Sequence, residues 1–225
     1  MYNIGDTKGG LSGANIYRDG DVVYKTADNT ETVAQWYTLA KSSSLKTPNV
    51  LDVTPQTITL EFIENNSKVD YNVVVRQLEN NKNYIHKHIP DFSTYIARVR
   101  SHGLDSKYLL VMDKHSVFYN KHKSFCHGDT SVDNILCKNK TIYYIDPIYL
   151  PNVYSSWLLD ISKLLTSLKR YGNMKTYNDI LGKYNNIRLE LNVLEMSHWI
   201  RMHKYHPSKN YVIQQIEQLY ESTRN

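Results

Sequence analysis

The chain is expected to be α+β, with a small β-rich lobe over residues 1–64 followed by a mainly helical lobe over residues 65–225. Three features predict this. Short apolar runs with period-two alternation fill the first part, and from about Val69 the apolar spacing shifts towards 3.6. One stretch, 123–148, interrupts the helical pattern with β-branched and aromatic runs.

In the first lobe, residues 1–27 carry Gly9, Gly10 and Gly13 between short alternating runs, with Asp19-Gly20 as a hairpin signal. Glycines let a backbone turn its N–H groups towards phosphate oxygens. The pattern is not GxxxxGK[ST], which disfavours a P-loop. Lys25 follows inside the apolar run VVYKTA, where it is either an edge lysine snorkelling to water or a phosphate contact. Residues 31–41 have helical character, with Asp28 or Thr30 as the cap. Glu31 and Gln35 share one face of that helix, and either could hold the lysine. Residues 48–53 and 57–63 read as two strands around Thr54-Pro55, running into a polar junction, ENNSK.

In the second lobe, residues 69–84, 92–102 and 106–119 read as helices, and after the β insert so do 155–171, 175–184, 188–205 and 210–223. The net charge of +5 is uneven: residues 1–64 hold five Lys/Arg against eight Asp/Glu, and residues 65–225 hold 22 against 14, or +8. That balance suits an anionic substrate, although a solvated surface explains scattered cations equally well. No aromatic-basic nucleic-acid motif is present, and no apolar run approaches the ~20 residues that cross a bilayer. Cys126 and Cys137 match no metal knuckle, and no signal-like segment opens the sequence, so a reducing, cytoplasmic setting is expected.

The insert KSFCHGDTSVDNILCKNKTIYYIDPI concentrates the chemistry. Asp129, Asn134 and Asp146 are polar groups set among the apolar runs SFC, VDNIL and IYYI. A carboxylate and a carboxamide at the ends of short strands suit Mg²⁺, which prefers one or two carboxylates plus substrate phosphates. The other aspartate could take a proton from an attacking hydroxyl, the equipment of phosphoryl transfer.

The order of glycine hairpin, strand lysine, helix with Glu, LEFI, helices and HGDxxxxN, then an aspartate twelve residues beyond the Asn, resembles the protein-kinase-like superfamily. It is most similar to the aminoglycoside phosphotransferase and choline kinase branch, whose catalytic loop reads HGD where protein kinases have HRD. The resemblance implies a bilobal protein-kinase-like fold with Asp129 as catalytic base and Asn134 and Asp146 on Mg²⁺. It also implies that Lys25 contacts the α and β phosphates of ATP and pairs with Glu31, while the loop of Gly9, Gly10 and Gly13 covers the nucleotide. Leu60-Glu61-Phe62-Ile63 becomes the hinge, with the Glu61 carbonyl and the Ile63 N–H reading adenine. His127 becomes a structural residue, and Asp160 resembles a helix-start aspartate that supports the catalytic loop; pairing of Asp160 with Lys163 or Lys169 is the alternative.

Only thirteen residues separate Asp146 from Asp160, with no DFG glycine and no APE. A peptide-docking segment hardly fits, so the expected partner is a small hydroxylated acceptor rather than a protein, nucleic acid or membrane. The acceptor could be a sugar, an amino alcohol or an antibiotic, and the basic second lobe favours a sugar or already phosphorylated metabolite over a polycationic aminoglycoside. Trp157, Trp199, Arg201, His203 and Lys204 either line its pocket or belong to ordinary core and surface. A reduced protein Ser/Thr kinase and a nucleotide-binding pseudokinase scaffold are the rival readings.

Overall fold

The structure, a computed structural model, describes residues 15–85 and 88–223, and these divide into two compact units. Unit 1 holds the described residues up to Asp70 together with Asp133–Tyr149; unit 2 holds Tyr71–Val132 and the described part of Leu150–Asn225. The expected glycine loop at Gly9, Gly10 and Gly13 lies outside the described residues.

Unit 1 is built on a four-stranded antiparallel sheet ordered β1-β2-β4-β3, from β1 (Asn15–Asp19), β2 (Val22–Thr26), β3 (Val50–Val53) and β4 (Thr57–Glu61). Gly20, at φ +56, makes the tight β1–β2 turn that Asp19-Gly20 signals. Register places Lys25 opposite Ile16 and Ile58. Helix α1 (Thr30–Ala40) packs on β3 and β4, burying Val33, Trp36, Tyr37 and Ala40. Its expected side-chain cap is not made: Asn29 stands at the cap without a bond, and the Thr30 hydroxyl donates to the Thr54 carbonyl at 2.6 Å instead. Thr30 therefore ties α1 to the β3–β4 turn.

A second hairpin, β5 (Ile135–Lys138) and β6 (Thr141–Tyr144), belongs to this unit, although its sequence position lies within the expected helical lobe. Asn139 and Lys140 form its turn with φ +50 and +64, the left-handed pair that a two-residue I′ turn demands. The hairpin is stitched to the ENNS junction. Asn66 and Ser67 N–H donate to the Cys137 carbonyl at 3.1 and 3.0 Å, and Cys137 N–H donates to Asn65 Oδ1 at 2.9 Å. On its other edge Tyr144 N–H donates to the Lys46 carbonyl at 2.9 Å. The polar junction is thus pinned backbone.

Unit 2 is helical: α2 (Tyr71–Asn80), α3 (Phe92–Arg100), α4 (Ser106–Lys114), α5 (Ser116–Asn120), α6 (Trp157–Arg170), α7 (Met174–Leu181), α8 (Arg188–His203) and α9 (Lys209–Thr223). The single helix expected over 106–119 is two, because His115 sits at φ −96, ψ 4, outside the helical well. Helix α6 runs through the core, with Leu158, Ile161, Leu164 and Leu165 fully buried. Each such side chain is worth roughly 1.5–3 kcal/mol relative to exposure. Phe92 centres an aromatic cluster, 4.2 Å from Tyr119 and 5.1 Å edge-on to Tyr154 between ring centroids. The Tyr154 hydroxyl donates to the Tyr119 carbonyl at 2.9 Å. Among the described residues no helix is long and apolar enough to cross a membrane.

Candidate active site

The expected site residues divide between the units. Lys25, Glu31, Glu61, Ile63, Asn134 and Asp146 belong to unit 1, and Asp129 to unit 2.

In unit 1, β2 carries Lys25 and the residue after β6 and Ile145 is Asp146, and their side chains form an ion pair. The lysine is largely enclosed, at 12% side-chain exposure, whereas the aspartate is 40% exposed. Asp146 adopts φ +56, a left-handed conformation that aspartate tolerates better than most residues. It turns the chain sharply where the β-branched run stops. Ile145 N–H donates to the Asn134 carbonyl at 3.0 Å, so the residues preceding and following the hairpin stay adjacent at its base.

The expected partner of Lys25 is corrected here. Glu31 in the first turn of α1 is exposed and so is Gln35 one turn on, and among the described residues Lys25 pairs with Asp146 alone. Helix α1 reaches the site through Tyr37 instead. Burial holds the Tyr37 hydroxyl well above the usual phenol range, and the Asp146 backbone bonds to it. An amphipathic helix presents its buried face to the sheet, and Glu31 is on the other one.

The proposed hinge lies at the end of β4. The Glu61 side chain accepts from Asn49 Nδ2 at 2.8 Å and its N–H donates to the Asn49 carbonyl at 2.9 Å, while Ile63 is buried.

In unit 2, the loop 127–132 is held by one face of α6. Ser156 caps the helix, accepting from Leu158 N–H. Asp160 in the first turn is fully buried and accepts from His127 N–H at 2.7 Å and Gly128 N–H at 2.8 Å. One turn on, Lys163 Nζ donates to Asp129 Oδ1 at 3.0 Å. A further turn on, Ser167 Oγ accepts from Val132 N–H at 3.0 Å. Spacings of three and four place Asp160, Lys163 and Ser167 on one stripe, and that stripe meets the loop in order. The Thr130 hydroxyl closes the set by donating to the Asp160 carbonyl at 2.6 Å.

Two loop residues have conformational reasons for their identity. Gly128 sits at φ +82, where a Cβ would be strained. His127 is buried, and its Nδ1 accepts from Asp129 N–H at 3.2 Å, the structural use expected of it. The Asp160 carboxyl is pushed up to about 7 by burial, against the lowering effect of its two N–H bonds. The alternative pairing of Asp160 with Lys163 or Lys169 does not form: Lys163 serves Asp129, and Lys169 is influenced by Glu195.

Lys163 on Asp129, Ser167 on the loop and Tyr37 on Asp146 are neighbours that the sequence did not place there. A signal for the first two exists, since Asp160, Lys163 and Ser167 are polar residues of WLLDISKLLTSL that recur at spacings of three and four. Of the aromatic and basic set, Trp157 and Trp199 are buried, with Trp199 edge-on to Tyr211 at 5.6 Å.

Among the described residues no group of three or more His, Cys, Asp or Glu could hold a metal ion. The expected donors Asn134 and Asp146 are one carboxamide and one carboxylate of a single unit. That number and hardness suit Mg²⁺ completed by water and phosphate rather than a caged transition metal.

The chain resembles the structure of a choline/ethanolamine kinase family protein from Mesorhizobium loti, with a TM-score of 0.64 and 13% identity over 98% of this chain and 88% of that one. The chain has the protein-kinase-like fold. Choline kinase LicA from Streptococcus pneumoniae superposes with a TM-score of 0.64 at 11% identity, covering 97% of this chain and 92% of its own. An ADP-bound aminoglycoside phosphotransferase gives 0.52 at 11% identity, covering 93% and 92%. No protein-family model and no curated protein sequence matches the chain. Within the kinase-like fold, the α6 stripe is what gives the HGD loop its fixed shape.

Proposed function

We propose that the chain is an ATP- and Mg²⁺-dependent phosphotransferase that moves the γ-phosphoryl group to a hydroxyl of a small molecule. The observation that carries this reading is the fixation of Asp129: its loop is bonded by α6 at residues 127, 128, 130 and 132, and its carboxylate is held by Lys163 at 3.0 Å. A carboxylate held this way orients an acceptor hydroxyl and receives its proton without reorganising when the reaction occurs. The solved structures that share the fold support the class, since they include choline/ethanolamine and ethanolamine kinases and an aminoglycoside phosphotransferase.

Each residue then has one task. Asp129 is the catalytic residue and Lys163 a positioning residue that holds its carboxylate. Lys25 binds nucleotide phosphate. Asn134 and Asp146 are the oxygen donors for Mg²⁺, which when bound neutralises charge on the β and γ phosphates. Glu61 and Ile63 offer adenine a backbone carbonyl and N–H. The described residues supply no partner for Ile63 N–H, consistent with a donor kept for a ligand. The short segment between Asp146 and Asp160 favours a small acceptor.

The test uses the purified chain, γ-labelled ATP and a mixture of small hydroxylated metabolites. Label should pass to a metabolite, and Asp129→Asn should lower that transfer by a factor of ~10³, with ADP affinity changed less than about threefold. Equal transfer by the variant removes Asp129 from the mechanism.

A further inference from the structure

Unit 2 contains a cationic cluster, Arg98 and Arg201, on which the Asp129 charge acts. Tyr95 of α3 and Ser197 of α8 are joined through their hydroxyls at 2.9 Å, deep in the core. Arg98 is three residues beyond Tyr95 and Arg201 four beyond Ser197, so each arginine lies one turn further along the joined faces. The two guanidiniums act on each other. Burial, then Arg201, pushes Arg98 down to about 10, with the Asp129 carboxylate among the groups opposing that shift. His102, just past α3, is held below its ordinary value by burial and then by Arg201, Arg98 and Lys204.

No carboxylate forms an ion pair with either arginine among the described residues; Asp129, whose charge opposes the shift of Arg98, is bonded to Lys163. The Arg201 Nε–H is buried without a hydrogen-bond partner among the described residues. So is Nδ1 of His198, one turn earlier, whose Nε2 is bound to Ser162 and the Leu159 carbonyl. Partly buried like charges without a counter-ion are costly, and a buried guanidinium N–H without an acceptor adds to the cost. Folding alone gives no reason for two arginines here. Planar guanidiniums do match oxyanions, which accept their N–H groups in pairs.

We infer that the acceptor is a small hydroxylated anion, its phosphate or carboxylate group bound by Arg98 and Arg201 while its hydroxyl meets Asp129. This rests on the phosphotransferase reading and narrows it. Choline, ethanolamine and aminoglycosides, the cationic acceptors suggested by the names of the similar structures, are the wrong charge for this cluster. The +8 balance of residues 65–225 adds long-range attraction of the same sign.

The test is a calorimetric titration of the full chain, saturated with ADP so that its phosphate contacts are occupied. Glycerol 3-phosphate, glycerate and choline are the probes. The wild-type chain should bind at least one of the two anions at least tenfold more tightly than choline. Arg98→Gln and Arg201→Gln should each weaken that binding tenfold or more, while Arg170→Gln, at an exposed site, leaves it unchanged. The tighter of the two anions identifies phosphate or carboxylate as the recognised group. Equal anion affinity in all four proteins, or a preference for choline, overturns the inference. ADP affinity, measured first in each protein, separates the two levels: its absence from the wild-type chain defeats the phosphotransferase reading, whereas its retention with no anion binding defeats only the anionic acceptor.

Discussion

Asp160 makes a quantitative prediction about stability against pH that needs no substrate. Its carboxyl is fully buried and raised from 3.8 to about 7. The folded state therefore holds this proton more tightly than the unfolded chain does. Its stabilising contribution is complete below about pH 4 and is lost as pH rises through about 7. A displacement of about three units at 1.36 kcal/mol each makes the loss about 4 kcal/mol.

Asp160→Asn removes the titration and keeps the shape. Its NH2 replaces one of the two oxygens that accept separately from His127 and Gly128 N–H, so one of these donors is left unpaired at a cost of about 1–3 kcal/mol. The expected result is a wild-type advantage of a few kcal/mol near pH 4 that shrinks by about 4 kcal/mol towards pH 8. Urea unfolding followed by fluorescence of Trp36, Trp157 and Trp199 at several pH values measures both curves. Other titrating groups, the buried Glu195 among them, cancel in the difference. Profiles that stay parallel within ~1 kcal/mol from pH 4 to 8 would refute the raised, loop-holding role of Asp160.

Gly128→Ala forces a Cβ into a backbone at φ +82 and should cost about 1–2 kcal/mol in the same urea assay while displacing the Asp129 carboxylate; an unchanged midpoint would show the loop free to relax. Lys140→Gly should act in the opposite direction. The turn residue already sits at φ +64, so a gain of roughly 0.5–1 kcal/mol is expected, and a loss would contradict the I′ geometry. Lys25→Met should weaken ADP binding about tenfold by calorimetry, and removing Mg²⁺ with EDTA should weaken it further in both proteins. Indifference to both changes would remove Lys25 and the metal from the nucleotide site.

Local patterns were enough to reveal most elements. The period-two runs in the first lobe and the 3.6 spacing from Val69 onwards both answer to which face is buried, a property written into neighbouring residues. The loop residues were legible for a related reason: Gly128 needs a positive φ, and polar groups embedded in apolar runs need partners. Errors arose where two stretches could satisfy the same local rule. Thr30 is as good a cap by composition as it is a donor to Thr54. His115 belongs to a helical pattern that its own backbone interrupts.

The sequence by itself determined the α+β class, the HGD loop with its downstream Asn134 and Asp146, and the surplus of positive charge after residue 64. Tertiary structure alone decided who pairs with whom. Lys25 meets Asp146 rather than Glu31, the hairpin joins the unit of the first strands, and Arg98 comes to face Arg201 across more than a hundred residues of chain. Periodicity reports the direction a side chain takes from its own helix or strand. Its partner depends on how distant elements pack, and no window of neighbouring residues contains that information.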